Sequence, residues 1–273
     1  MTTPLDAERR VPAQTRGRGR FFWDLIFRVL RFIAAHAKNA YAIFGIFLLS
    51  GAAIAAVGVW SFTELAGHVS SGKTQAFDDA VMRWIGAHQY PPVQAVMLEI
   101  TALATASVVT AIVVIAGMFL WLNKHKHSAI LLGAAALGGL ALNQLLKVGF
   151  DRPRPKIFTW GTNAMSSSFP SGHAMSAAIV YSTVAYLAAR LQRNARARLL
   201  TLIVTTAIVV LICASRVYLG VHYPSDVLAG VTVGLAWAAF CMAILEAAQL
   251  YAKRNAPQML HDEQPAPAAV EPS

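Results

Sequence analysis

Apolar stretches of about 20 residues, each long enough to cross the ~30 Å hydrocarbon core of a bilayer as a helix, recur along most of this chain. That feature outweighs every other in limiting the fold. Of 273 residues, 56% are hydrophobic and 13% charged, against roughly a quarter charged in soluble domains. The expected architecture is all-α, a polytopic membrane bundle of six transmembrane helices with interfacial helices at its edges. The spans fall at 40–62, 93–122, 128–149, 174–191, 199–214 and 227–251, within one domain covering 39–252. Residues 1–20, with five arginines among Pro, Gly and Thr, read as a disordered basic leader. The stretch 21–38 reads as an amphipathic interfacial helix or as an extension of the first span. Residues 253–273 read as a disordered tail. Phe77, Val81, Trp84, Ile85 and His88 recur at helical spacing, so a second interfacial helix is expected before Pro91-Pro92 interrupts it. Gly230 and Gly234, four apart, suit a helix-packing face.

The net charge of +10 does not point to nucleic acid, because the basic residues lie in tails and loops beside apolar spans rather than on a soluble surface. Their distribution reports topology instead. With the N-terminus cytoplasmic, the inner segments hold 16 of the 23 Lys and Arg residues, which favours both termini inside a bacterial cytoplasmic membrane. The loops after spans three and five then face outward, together with the starts of spans four and six. Cys213 and Cys241 fall inside spans and read as small buried apolar residues.

Three segments on that outer side carry unusual chemistry. Lys147 ends an apolar span and leads into Phe150-Asp151-Arg152-Pro153-Arg154-Pro155-Lys156. Its prolines stiffen the loop and its guanidinium groups suit bidentate phosphate contact, although basic side chains at a membrane surface also pair with lipid head groups. Pro170-Ser171-Gly172-His173 opens the next span, offering a hydroxyl, free backbone N–H groups and a positive helix end to an anion, or simply an ordinary cap. Ser215-Arg216 is followed by His222 and Asp226; with a helix beginning near Tyr223, imidazole and carboxylate can meet on one face. A carboxylate there fixes the tautomer and leaves the other ring nitrogen free to attack phosphorus, and ionisable groups at membrane depth are costly enough to be functional by default.

Taken in order and spacing, Lys147 with six residues to Arg154-Pro155, then Pro170-Ser171-Gly172-His173, then Ser215-Arg216 with five residues to His222 and three to Asp226, resembles the three-part signature of the type 2 phosphatidic acid phosphatase superfamily. The resemblance covers 147–226 by motif and 40–251 by span layout. It implies that His222 is a nucleophile forming a phosphohistidine, that Asp226 orients it, and that His173 is the general acid. It implies that Lys147, Arg154, Arg216, Ser171 and the Gly172 N–H hold the phosphoryl oxygens. No metal and no other cofactor is expected, since three cations and a helix N-terminus converge on the anion and no acidic cluster is evident. Arg152-Pro153 duplicates Arg154-Pro155, and only spacing selects Arg154, so a shared role for Arg152 is open.

The expected partner is a phosphorylated membrane lipid in the bilayer, with no nucleic acid and no stated oligomeric state. Undecaprenyl diphosphate stands first, ahead of phosphatidic acid, phosphatidylglycerophosphate and lipid A phosphates. A lipid phosphotransferase is an alternative within the superfamily, and a phosphate-lipid transporter or binding protein is the alternative outside enzymes. The soluble vanadate-dependent haloperoxidases of the same superfamily are disfavoured by the six spans. Glu99 and Glu246, in or near spans, are assigned no role beyond hydrogen bonding in the bundle.

Overall fold

A computed structural model describes residues 40–156 and 167–255. The expectations for the leader, for the interfacial helix at 21–38 and for the tail past Asn255 fall outside those residues. Contacts divide the chain into Met1–Ile46 and Phe47–Ser273, and the second unit holds the bundle. The described elements are helical throughout: α1 (Ala40–Ser70), α2 (Gln75–Ala87), α3 (Pro91–Ala102), α4 (Ala106–Leu122), α5 (Lys126–Gly149), α6 (Gly172–Leu191), α7 (Ala195–Tyr218) and α8 (Pro224–Asn255). Five of them are long and apolar enough to cross a membrane, and six spans result when α3 and α4 count as one. Their outward surfaces are apolar, as a hydrocarbon solvent requires: Leu137, Leu145 and Val148 on α5 and Leu199, Ile203 and Val210 on α7 are exposed.

Several boundaries depart from the sequence expectation. The apolar run 93–122 is a single unbroken span by composition, yet the structure bends it by 45° between α3 and α4. At the break Thr105 adopts an extended conformation, and its Oγ1 donates to Ala102 O at 2.7 Å, the local side-chain competition with the helical ladder that threonine offers. Pro91-Pro92 follow the end of α2 at Ala87, as expected, and begin α3 from its first turn, where a missing N–H costs nothing. The last helix continues to Asn255, past the expected edge at 252.

The core lies where α6 meets α8 and α5. Gly230 and Gly234 face α6 closely enough that a Cβ on Gly230 would sit 2.6 Å from Ser171 O, and one on Gly234 would sit 2.8 Å from Met175 O. The small-residue pair is therefore a packing face between backbones, as expected. At the other end of the same helix pair, Glu246 accepts from the Tyr186 hydroxyl and pairs with Arg190 at 2.9 Å. That network is the role the sequence left undefined; Glu99, by contrast, is exposed on α3.

Gly230→Val should force α6 and α8 apart. Its apparent melting temperature in detergent is expected to fall by about 5 °C, from an overpacking cost of about 1–3 kcal/mol. Gly133→Ala, where a Cβ meets nothing within 4 Å, is the control and should not lower it. Equal melting of the two variants would contradict the close backbone packing.

Candidate active site

Each of the three signature segments is shaped by a local device, and all three meet at one end of the bundle. The chain leaving α5 at Phe150 packs that ring edge-on against Phe169, and Phe169 stacks on Phe62 of α1. Phe169 is fully buried, and burying an aromatic ring of this size stabilises by about 1.5–3 kcal/mol. Backbone bonds then join the two loops: Ser168 N donates to Arg152 O at 2.9 Å, and Ser168 Oγ donates to Pro153 O at 3.2 Å. The first and second segments are thus laid side by side before either reaches the site.

The third segment turns on a glycine. After α7, Gly220 takes φ +70°, Val221 N donates to Arg216 O at 3.2 Å and Gly220 N donates to Val217 O at 2.9 Å. This is the helix-ending pair of bonds in which a left-handed glycine caps two orphan carbonyls. It reverses the chain within four residues, so Arg216 on α7 and His222 before α8 face the same space. Pro224 opens α8, and Asp226 in its first turn reaches back: Oδ2 accepts from Tyr223 N at 2.9 Å and lies 3.6 Å from His222 Nδ1.

The tautomer follows from the partners. Arg154 Nη1 approaches His222 Nε2 at 3.4 Å while also donating to Val221 O at 3.0 Å. A guanidinium has only donors, so Nε2 must present its lone pair and the ring proton sits on Nδ1, facing Asp226. His222 is 2% exposed. Burial outweighs the opposing pull of Asp226 and, with the field of Arg154 and Arg216, pushes its pKa down to about 4. The ring is neutral at physiological pH.

Around it, Ser171 caps α6 without a side-chain bond of its own, and Gly172 and His173 begin the helix, where first-turn N–H groups lack helical partners. Lys147 lies in the last turn of α5. Lys147, Arg154 and Arg216 act electrostatically on one another, and all three, together with His222, act on His173. Arg216 Nη1 donates to Thr101 Oγ1 at 2.7 Å. At this site Arg216 Nε, Ser171 Oγ and His222 Nδ1 are buried without a hydrogen-bond partner among the described residues. Converging cations beside unpaired buried donors define a cradle for an anion with several acceptor oxygens. Every site residue expected from the sequence is therefore brought to one place.

Arg152 is not among them. Its guanidinium turns away, donating to Asp226 Oδ1 at 2.6 Å, Ser225 Oγ at 2.7 Å, Asp78 Oδ2 at 2.8 Å and Gln75 Oε1 at 3.1 Å, over the ring of Tyr223. Burial works against its charge, but the two carboxylates outweigh that and raise its pKa. For Arg154, burial outweighs the pull of Asp226 and lowers the pKa. The two arginines of the repeated Arg-Pro thus take different work: Arg154 faces the imidazole and Arg152 the carboxylates. Asp78 and Gln75 on α2 were missed by sequence reasoning, because an acidic residue in the first turn of an interfacial helix looks like a dipole or solvent contact.

In a polytopic helical membrane protein, a buried His–Asp pair facing converging cations suits the binding of a phosphoryl group. The chain belongs to the PAP2 superfamily, whose model matches residues 128–250. It is 34% identical over 175 residues to phosphatidylglycerophosphatase B of Bacillus subtilis, covering 64% of this chain and 86% of that protein. Its structure is similar to the crystal structure of the transmembrane PAP2-type phosphatidylglycerolphosphate phosphatase from Bacillus subtilis, with a TM-score of 0.66 and 30% identity, covering 70% of this chain and 96% of the other. A weaker likeness, TM-score 0.47 at 23% identity over 60% of this chain and 93% of the other, links it to LpxE of Aquifex aeolicus. At this level the protein is a PAP2-type membrane lipid phosphatase.

The neutral, buried imidazole makes stability depend on pH. Its folded pKa of about 4 lies below the ordinary 6.5, so between those values the unfolded chain binds a proton that the folded protein does not, and stability falls as pH drops through that window. His222→Gln is expected to lose less stability than wild type between pH 7 and about pH 4.5 when unfolding is followed in detergent. Parallel losses would contradict a His222 buried neutral.

Proposed function

We propose that this chain hydrolyses the phosphomonoester of a membrane lipid without a metal ion, through a phosphohistidine on His222. The observation that carries this reading is the orientation of one imidazole, with Nδ1 toward a buried carboxylate and Nε2 toward the cationic cradle. In the first step the Nε2 lone pair attacks phosphorus, the bond to the lipid oxygen breaks, and His173 delivers a proton to that oxygen. Asp226 holds the Nδ1 proton and stabilises the positive charge that grows on the ring. Lys147, Arg154, Arg216, Ser171 Oγ and the Gly172 N–H bind the three equatorial oxygens, where charge stabilisation does most of the catalytic work in phosphoryl transfer. In the second step water attacks phosphorus, His173 accepts a proton from it, and the P–N bond breaks to release inorganic phosphate and neutral His222.

The substrate class follows from position and likeness. Lys147 follows Leu146, and Leu146 lines an apolar cavity of about 380 Å³ together with Val59, Phe62, Leu142, Val233 and Trp237. A head group in the cradle would leave its acyl chain beside this surface. Similarity in sequence and in structure to phosphatidylglycerophosphate phosphatase of Bacillus subtilis moves that lipid ahead of undecaprenyl diphosphate. By the charge count the site faces outward from the cytoplasmic membrane, with both termini inside.

Purified protein in detergent should release inorganic phosphate from phosphatidylglycerophosphate faster than from phosphatidic acid, undecaprenyl diphosphate or lipid A 1-phosphate, and excess chelator should leave the rate unchanged. His222→Ala should reduce release at least about 10³-fold, as loss of a covalent nucleophile does elsewhere, with the elution profile of the folded protein retained. Full turnover by His222→Ala, or loss of activity with chelator, would overturn the mechanism.

A further inference from the structure

Asp78 lies outside the three signature segments, 69 positions before the first of their site residues, yet it is fully buried at the site. Its Oδ1 accepts from Ser225 N at 3.1 Å, and its Oδ2 accepts both from Ser225 Oγ at 2.5 Å and from Arg152 Nη2 at 2.8 Å. The other fork of the same guanidinium, Nη1, holds Asp226 Oδ1 at 2.6 Å and Ser225 Oγ. Asp78, Arg152 and Asp226 therefore form one buried row, minus–plus–minus, with Ser225 tied to its first two members. The opposite edge of Asp226 faces Tyr223 N and His222 Nδ1.

Charge arithmetic gives Asp78 a purpose that packing alone does not require. A guanidinium against Asp226 alone would neutralise the carboxylate that has to stabilise an imidazolium. A second carboxylate on the far side of the guanidinium returns the row to a net negative charge beside His222. It also fixes the fork, because Nη1 and Nη2 are each held by their own carboxylate and the rotation that would swing Nη1 off Asp226 is blocked. We infer that Asp78 on α2 is a positioning residue for phosphoryl transfer, acting through Arg152 to hold Asp226 in place and charged against His222.

The inference rests on the phosphohistidine reading, and its test separates the two. Asp78→Asn keeps the shape and the acceptor toward Arg152 but removes the charge. Measured on phosphatidylglycerophosphate in detergent micelles, it should lower kcat by about 10–100-fold, the range that loss of a carboxylate supporting a histidine shows at metal sites. KM and the Ki of inorganic phosphate should stay within about twofold, because the cradle is untouched. A purely structural role would move KM and Ki as the site loosened, or would leave kcat alone. Asp78→Glu, which restores charge but lengthens the arm, should recover part of the lost kcat. Where Asp78→Asn fails to accumulate as folded protein, Ser225→Ala takes its place: it removes the hydroxyl's bonds to Asp78 and from Arg152 but no charge, and should lower kcat about threefold at constant KM. Unchanged kcat in whichever variant purifies, or a fall in kcat matched by an equal weakening of phosphate, overturns the inference. Phosphate release by Asp78→Asn at a reduced rate, alongside none by His222→Ala, supports both readings. Wild type that releases no phosphate from any of the four lipids sinks the hydrolase reading and this one with it.

Discussion

A carboxylate with no exposed surface holds the site together. Asp226 is buried at a depth where an unpaired charge costs several kcal/mol, and removing one partner of such a pair costs about 3–5 kcal/mol. Its donors come from different parts of the chain: Arg152 from the loop after α5, Tyr223 N from the turn before α8, where the His222 ring lies 3.6 Å away, and, at its main-chain carbonyl, Ser171 N at the start of α6. Satisfying Asp226 therefore fixes the relative placement of all three signature segments. The close approach of Gly230 to Ser171 O is the packing counterpart of the same requirement, since α6 and α8 have to touch for Ser171 N to reach the Asp226 carbonyl.

This explains how a bundle with little polar material can hold an anion site. Cations that would repel one another are seated on separate elements, Lys147 on α5, Arg154 on a loop and Arg216 on α7, each held by its own backbone. The carboxylates sit on the far side of His222 and stay out of the cradle. Attraction and repulsion are sorted by position: in the proposed mechanism the negative row would stabilise the ring's growing positive charge, while the positive cluster would face the incoming phosphate. A single change of fork, Arg152 aimed at the cradle in place of Arg154, would cancel both effects.

The parts legible in the sequence are those set by short spacing or long composition. Apolar runs gave the spans, helical periodicity gave α2, and the intervals among Lys147, Arg154, His173, Arg216, His222 and Asp226 brought forward residues that the fold gathers at one end of the bundle. What was illegible depends on partners distant in sequence. Nothing near Asp78 announces that its side chain meets Arg152 and Ser225, since both lie more than 70 residues away. The choice between Arg152 and Arg154 rested on counting until their partners were seen. The bend at Leu103–Thr105 was hidden because threonine is apolar enough to pass as span and breaks a helix only when its hydroxyl turns back on the chain. Glu246 needed Tyr186 and Arg190 on another helix to make sense.

The claim on which the rest depends is covalent chemistry at one nitrogen. Rapid acid-free quenching of the purified enzyme during turnover of a ³²P-labelled lipid phosphate, followed by peptide mass spectrometry, tests it most directly. The expected result is one acid-labile, alkali-stable phosphoryl group on His222, formed as fast as the lipid alcohol is released and absent from His222→Ala. Phosphate release at the same rate with the label on another residue, or with no labelled enzyme at any time in the burst, would contradict it.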